Sequence, residues 1–285
     1  MNHKKIKIGL VQMKCSKNPE TNLKKAIAGI ERVAAKGAQL VCLPELFLSP
    51  YFCQVPKDKR HFNLAESIPG PATDALGDIA KKRRLVIVCS LFEKNPVGKF
   101  FNSVAVIGIE GEVLGVYHKM HIPSLPPDLY AENYYFEKGD KGFMVCDTPY
   151  GKIAPLVCYD QWFPEAARIV AAKGAQIIFY PTAIGWPRAD RGDLKRAEHD
   201  AWQVIQRSHA IANNVFVAAV NRIGAEGKMR FWGTSFVSDP YGRVLAKAST
   251  NKEENLVVEC DLSIIDEMRK DWPFLEERRV RIEER

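Results

Sequence analysis

Long hydrophobic runs are missing from this sequence. The longest, LVCLPELFL (40–48) and IIFYP (177–181), fall far short of the roughly twenty apolar residues that a membrane-spanning helix needs. The opening MNHKKIKIGLVQM has neither the apolar core nor the small-residue cleavage site of a secretory signal, so a cytoplasmic chain is expected. No C-x-x-C pair occurs among the seven cysteines, whose number is odd and whose spacing is scattered. That argues against a disulfide framework and for a reducing compartment. H-E-x-x-H, clustered Cys/His spacing, G-x-S-x-G and the P-loop pattern are all absent, which leaves zinc-hydrolase, serine-hydrolase and nucleotide chemistry without a motif. His118 and His121 are three apart, and on a strand they would face opposite sides, so no metal site is expected there. Basic residues outnumber acidic ones, 41 to 34, yet no single basic stripe forms. KDKR (57–60) and KKRR (81–84) are separate short runs, and the tail EERRVRIEER mixes both signs. This reads as solvated surface, so neither nucleic acid nor membrane is expected as a partner.

What the sequence does contain is a regular alternation of strand and helix patterns. IKIGLVQM reads as a strand, and NPETNLKKAIAGIERVAAKG as an amphipathic helix closed by Gly37. A buried strand (AQLVCLPE), a helix (TDALGDIAKKRR), a strand (LVIVCSLFEK) and a hairpin pivoting at Glu110-Gly111 follow. The second half repeats the order: GKIAPLVC, a helix from Pro164, QIIFYP, a long helix around AEHDAWQVIQRSHAIANN, VFVAAVNRI, and a hairpin turning at Asp239–Gly242. With no low-complexity linker, this predicts one α/β domain over 1–285, with layered sheets and helices outside. VAAKGAQ occurs identically at 33–39 and 170–176, each time ending a helix and leading into a strand that finishes in proline. Two similar halves are implied, with Glu45 and Thr182 in equivalent places.

Three ionisable residues fall at strand ends: Glu45 after QLVCLP, Lys119 after VLGVYH and Cys158 after IAPLV. A charged group directly after an apolar strand has to be solvated, paired or functional, because burying it alone is costly. Strand ends are also where ligand sites form in α/β sheets. A cysteine, a base and a cation converging there make a coherent thiol-nucleophile site. Cys42, Cys89 and Cys146 sit inside apolar or strand-like runs and are expected to pack.

The blocks CLPELF (42–47), YHKMHIP (117–123) and LVCYDQWFPEAAR (156–168) resemble, in order, the Glu, Lys and Cys signatures of the nitrilase superfamily of carbon–nitrogen hydrolases. The resemblance covers essentially the whole chain and implies a four-layer αββα sandwich. It also implies Glu45 as general base, Lys119 as the cation for a tetrahedral intermediate, and Cys158 as nucleophile, with no metal and no organic cofactor. A second glutamate between the Lys and Cys blocks is implied too; Glu132 fits, with Glu137 as the alternative. Only a thiolate attacks well, so Glu45 would take the thiol proton, while Lys119 and the Tyr159 N–H meet the oxyanion. A catalytically silent scaffold would have no reason to keep all three groups at strand ends. The resemblance further implies homodimers or larger assemblies, for which the aromatics of MRKDWPFLEERR, in the tail from about residue 264, are a contact candidate.

SPYFCQ (49–54), YPTAIGW (180–186) and FWGTSFVSDPYG (231–242) are similar to the branch whose members hydrolyse N-carbamoylputrescine. The turn Tyr159–Phe163 carries no cation to clamp a carboxylate, whereas Asp160 and the aromatics Trp162, Phe163, Tyr51 and Trp186 suit a chain ending in an ammonium. A small-molecule substrate of that kind is therefore expected, with Tyr51, Tyr159, Asp160 and Trp186 as its binding residues. Asp160 has an alternative use in capping the turn before Pro164. Arg188 or Arg191, from another loop, would instead favour an N-carbamoyl amino acid, and an ω-amide is a further alternative.

Overall fold

The structure, a computed structural model, describes residues 5–125, 129–188 and 192–279. The first half runs β1 (Lys5–Gln12), α1 (Pro19–Ala34), β2 (Leu40–Cys42), α2 (Pro71–Arg83), β3 (Val86–Lys94), β4 (Phe100–Ile107) and β5 (Val113–His118). Two short strands, β6 (Ser124–Leu125) and β7 (Tyr130–Ala131), pair with each other. The second half runs β8 (Cys146–Thr148), β9 (Gly151–Pro155), α3 (Pro164–Ala172), β10 (Ile177–Thr182), β11 (Gly185–Pro187), α4 (Leu194–Asn213) and β12 (Phe216–Asn221). It closes with β13 (Ile223–Glu226), β14 (Met229–Trp232), β15 (Phe236–Ser238), β16 (Val244–Lys247), β17 (Glu254–Asp261) and α5 (Ser263–Asp271).

The halves build two six-stranded sheets, ordered β17-β1-β2-β3-β4-β5 and β16-β15-β12-β10-β9-β8. In each, two parallel pairings (β1–β2–β3; β9–β10–β12) precede two antiparallel ones (β3–β4–β5; β12–β15–β16). Alternation along the strands sorts the side chains. Leu40, Cys42, Val86 and Val88 share a core with Ile153, Ile177 and Phe216 of the other sheet. Val41, Ile87 and Cys89 face Ile30 and Val33 of α1 and Leu76 and Ile79 of α2. Ala167, Val170 and Ala210 bring α3 and α4 against the second sheet. The result is an αββα sandwich. No helix among the described residues is long and apolar enough to cross a membrane.

The two VAAKGAQ copies do the same structural work. Gly37 and Gly174 both take left-handed backbones, at φ 87° and 97°. The Gln39 and Gln176 side chains accept from the Lys7 and Lys152 N–H groups respectively, and their backbones pair with the same two residues and with Val86 and Phe216. Several elements depart from expectation, among them the short strands β6, β7, β11 and β14 and the helix α5. β8 and β17 were not foreseen and add antiparallel edges to β9 and β1. VFVAAVNRI does not run as one strand: β12 stops at Asn221, and Ile223 begins β13 in a separate sheet ordered β11-β14-β13. Because β5 runs parallel to β3, β2 and β5 end at the same edge of their sheet, and β9, β10 and β12 end together at one edge of theirs.

Candidate active site

Glu45 lies in the turn after β2, Lys119 directly follows β5, and Cys158 opens a short 3-10 turn (Cys158–Trp162) after β9. The Lys119 ammonium, 1% exposed, donates to Glu45 Oε1 at 2.8 Å and to Glu132 Oε2 and Oε1 at 2.7 and 2.9 Å. Asn102 on β4 completes this arrangement: its Nδ2 donates to Glu45 Oε1 at 2.7 Å, and its carbonyl accepts from the Lys119 N–H at 2.9 Å. Glu45 Oε2 is buried with no hydrogen-bond partner among the described residues. Tyr51 donates its hydroxyl to Glu132 Oε1 at 2.6 Å. Of the two candidate second glutamates, Glu132 is the one brought to Lys119, and Glu137 is exposed.

The backbone around these groups is constrained. Cys158 itself has φ 38° and Leu46, next to Glu45, has φ 47°, both left-handed values that side chains with a Cβ rarely adopt. Such conformations persist only where the surroundings over-determine them, and they gather at functional sites.

Electrostatics follow from burial and from an excess of carboxylate. Burial pushes the Cys158 thiol well above its ordinary value; Glu45 and Glu132 push the same way, against Lys119 and the Ala183 N–H. Burial by itself would lower the Lys119 ammonium, but Glu132 and Glu45 outweigh it and the net shift is upward. Glu132 is raised to about 7, first by burial and then by Glu45, with Lys119 and Tyr51 opposing.

Cys158 opens onto a cavity of about 470 Å³, a size suited to a small metabolite. Tyr130, Tyr159, Trp162 and Trp232 form much of its wall, and Glu198 on α4 adds a carboxylate. No lysine, arginine or histidine occurs among its described lining residues. Among the described residues, no group of three or more His, Cys, Asp or Glu is arranged to hold a metal ion.

Of the four residues expected to bind substrate, only Tyr159 lines this cavity. Tyr51 is not among the lining residues: its ring is buried edge-on to Tyr130, and its hydroxyl is engaged by Glu132. Trp186 is not among them either: its ring centroid is 4.9 Å from that of Trp232, and its indole N–H donates to the Lys195 carbonyl. Asp160 is also outside the lining. It is fully buried, and its oxygens accept from the Val157 N–H (2.9 Å), the Tyr117 hydroxyl (2.8 Å), the His121 N–H (3.0 Å) and His121 Nδ1 (2.7 Å). This bracing role is close to the alternative use in its own turn. Arg188 is exposed and does not line the cavity, and Arg191 lies outside the described residues. His118 and His121 go separate ways, to Asp140 and Asp160.

Sequence reasoning missed Asn102, Tyr130, Trp232 and Glu198. Asn102 and its neighbour Ser103 are the two polar residues inside the apolar FFNSVAVI strand, a signal that was available. Glu198 sits among alternating charges, but the buried stripe Trp202, Gln206, His209 of α4, extended back one turn, falls on it.

A buried Glu–Lys–Cys cluster at the strand ends of an αββα sandwich defines the class, hydrolases of the nitrilase type. The chain belongs to the carbon–nitrogen hydrolase family, whose profile matches residues 7–270, and is an enzyme of that family. It is 39% identical to an N-carbamoylputrescine amidase of Solanum lycopersicum, over 96% of this chain and 92% of that one. It is 37% identical to a citrullinase of Francisella tularensis, over 96% and 95% respectively. The crystal structure of a carbon–nitrogen hydrolase from Helicobacter pylori G27 superposes with a TM-score of 0.92 at 40% identity, covering 96% of both chains.

Proposed function

We propose that the chain hydrolyses N-carbamoylputrescine, with Cys158 as nucleophile, Glu45 as general base and Lys119 with the Tyr159 N–H facing the oxyanion. Cys158 Sγ attacks the carbamoyl carbon while its proton passes to Glu45, whose Oε2 is unengaged among the described residues. The tetrahedral oxyanion collapses and expels ammonia, which leaves with the proton from Glu45, and an S-carbamoyl intermediate remains. Water, deprotonated by Glu45, cleaves that thiocarbamate and restores the thiol. The released carbamic acid loses carbon dioxide and yields putrescine. Glu132 keeps the Lys119 ammonium charged and fixed through its two hydrogen bonds.

The observation that carries the substrate reading is the cavity lining: aromatic walls, the Glu198 carboxylate and no cation among the described residues. A tetramethylene chain ending in an ammonium fits that chemistry through carboxylate and cation–π contacts. Citrulline is the same molecule with one carboxylate added beside the distal amine, and among the described lining residues that carboxylate would meet Glu198 and no cation. The test is ammonia release from the two substrates side by side. N-carbamoylputrescine is expected to be favoured at least about tenfold in kcat/KM, and Glu198→Gln to reduce that efficiency about tenfold, mainly through KM. Equal or reversed preference rules out the amine reading and leaves the thiol chemistry standing; unimpaired turnover by Cys158→Ala rules out the thiol chemistry itself.

A further inference from the structure

Arg222 is a fully buried cation that the chemistry above does not use. It follows β12, at the point where the expected strand breaks, and its guanidinium reaches across from the second half of the chain to the first. Nη2 donates to the Glu45 carbonyl at 2.6 Å and to the Leu46 carbonyl at 2.9 Å, and Nη1 donates to the Ser49 carbonyl at 3.0 Å. Nη1 also meets Glu226 Oε2 at 2.9 Å, and that same oxygen accepts from the Tyr51 N–H at 2.6 Å. The backbone N–H of Arg222 reaches the carbonyl of Thr182, the residue that the internal repeat makes equivalent to Glu45, at 3.4 Å.

One planar group is therefore linked to both supports of the Lys119 ammonium, directly to the turn of Glu45 and through Glu226 and Tyr51 to Glu132. Through three carbonyls it holds the turn that carries Glu45, including the left-handed Leu46. Through Glu226 it holds the backbone of Tyr51, whose hydroxyl fixes Glu132. We infer that Arg222, with Glu226, is a positioning residue that sets the distance between the two carboxylates and so aims Glu45 at Cys158. A lysine cannot substitute, because a single ammonium does not span a fork of carbonyls. Small displacements at a reacting centre are costly in rate even when binding is untouched, by up to about a hundredfold for 1 Å.

The experiment compares wild type, Arg222→Lys and Glu226→Gln in three measurements: melting temperature, steady-state hydrolysis of N-carbamoylputrescine, and the rate of Cys158 alkylation by iodoacetamide. Arg222→Lys is expected to lose at least about tenfold in kcat with KM changed less than about threefold, and to slow alkylation. Glu226→Gln is expected to move both readouts the same way by less. A lower melting temperature with kcat and alkylation within twofold of wild type overturns the positioning role and leaves a purely structural arginine. Should Arg222→Lys fail to fold, Glu226→Gln decides alone, and an unchanged kcat and alkylation rate overturns the inference. The inference rests on the Cys158–Glu45 pairing and not on the substrate. If wild type leaves N-carbamoylputrescine untouched, the substrate reading fails, while the alkylation arm still reports on Arg222.

Discussion

At the scale of single residues, the site is governed by one ammonium buried between two carboxylates. Removing either partner of such a pair leaves an uncompensated charge and typically costs about 3–5 kcal/mol, so the cluster is held as a unit. Asn102 and Tyr51 occupy acceptor positions on the carboxylates that Lys119 does not fill alone. The local charge balance is negative, and a thiolate would add to it. This is why burial, Glu45 and Glu132 together hold the Cys158 thiol above its ordinary range. A group shifted upward stays protonated through neutral pH, and its anionic fraction grows about tenfold per pH unit up to the shifted value. The ultraviolet absorbance of the Cys158 thiolate, read as the difference between wild type and Cys158→Ala, should therefore climb steadily from about pH 6 to about pH 9 with no plateau near neutrality. Turnover should climb far less over the same range, because in the proposed chemistry Glu45 removes the proton during attack. A plateau in that thiolate absorbance near pH 7 would mean a preformed thiolate and contradict this account.

At the scale of elements, Asp160 joins the turn after β9 to the turn after β5. It binds Val157, next to Cys158, and both Tyr117 and His121, which flank Lys119 two residues to either side. His121 is also stacked on Phe163 with centroids 3.7 Å apart, which adds a second contact between the same two segments. Replacing Asp160 by Asn swaps an acceptor for a donor facing N–H groups, at a cost of about 1–3 kcal/mol. The expected outcome of Asp160→Asn is a lower melting temperature with an unchanged preference for N-carbamoylputrescine over N-carbamoylbutylamine. A selective loss of the cationic substrate would restore Asp160 to the binding role read from sequence. The bracing contacts of Asp160 were not legible in the sequence for a physical reason. A turn sequence reveals which groups are near one another in the chain, but Tyr117 and His121 are about forty residues away. By contrast, the strand and helix order was legible, because period and capping are local. The VAAKGAQ repeat was legible in full: both copies make the same glycine turn and the same glutamine contacts.

At the scale of the whole molecule, what escaped the sequence reading depends on long-range pairing. β17 fills the edge beside β1, joining Glu254–Asp261 to Lys5–Gln12 across nearly the full chain. The cavity collects its lining from residues between 123 and 232, so no single block could announce Glu198 or Trp232. One expectation at this scale concerns self-association. Trp272 and Phe274 are 43% and 40% exposed, with ring centroids 5.7 Å apart, and Tyr241, 39% exposed, packs edge-on to Trp272. Val244 and Leu245, on the edge strand β16 that follows Tyr241, are also exposed. Isolated exposed apolar residues are ordinary, but clustered aromatics beside an edge strand are the composition of an interface core. We propose that a second copy of the chain covers this face. Sedimentation at micromolar concentration should give at least a dimer for wild type. Trp272→Glu combined with Phe274→Glu should shift it toward monomer, since truncating central interface aromatics commonly costs about 2 kcal/mol or more each. None of these side chains lines the cavity, so the monomeric variant should keep its kcat unless the assembly also stiffens the strand ends. A wild-type chain that sediments as a monomer, or a double variant that stays assembled, would remove this face from consideration.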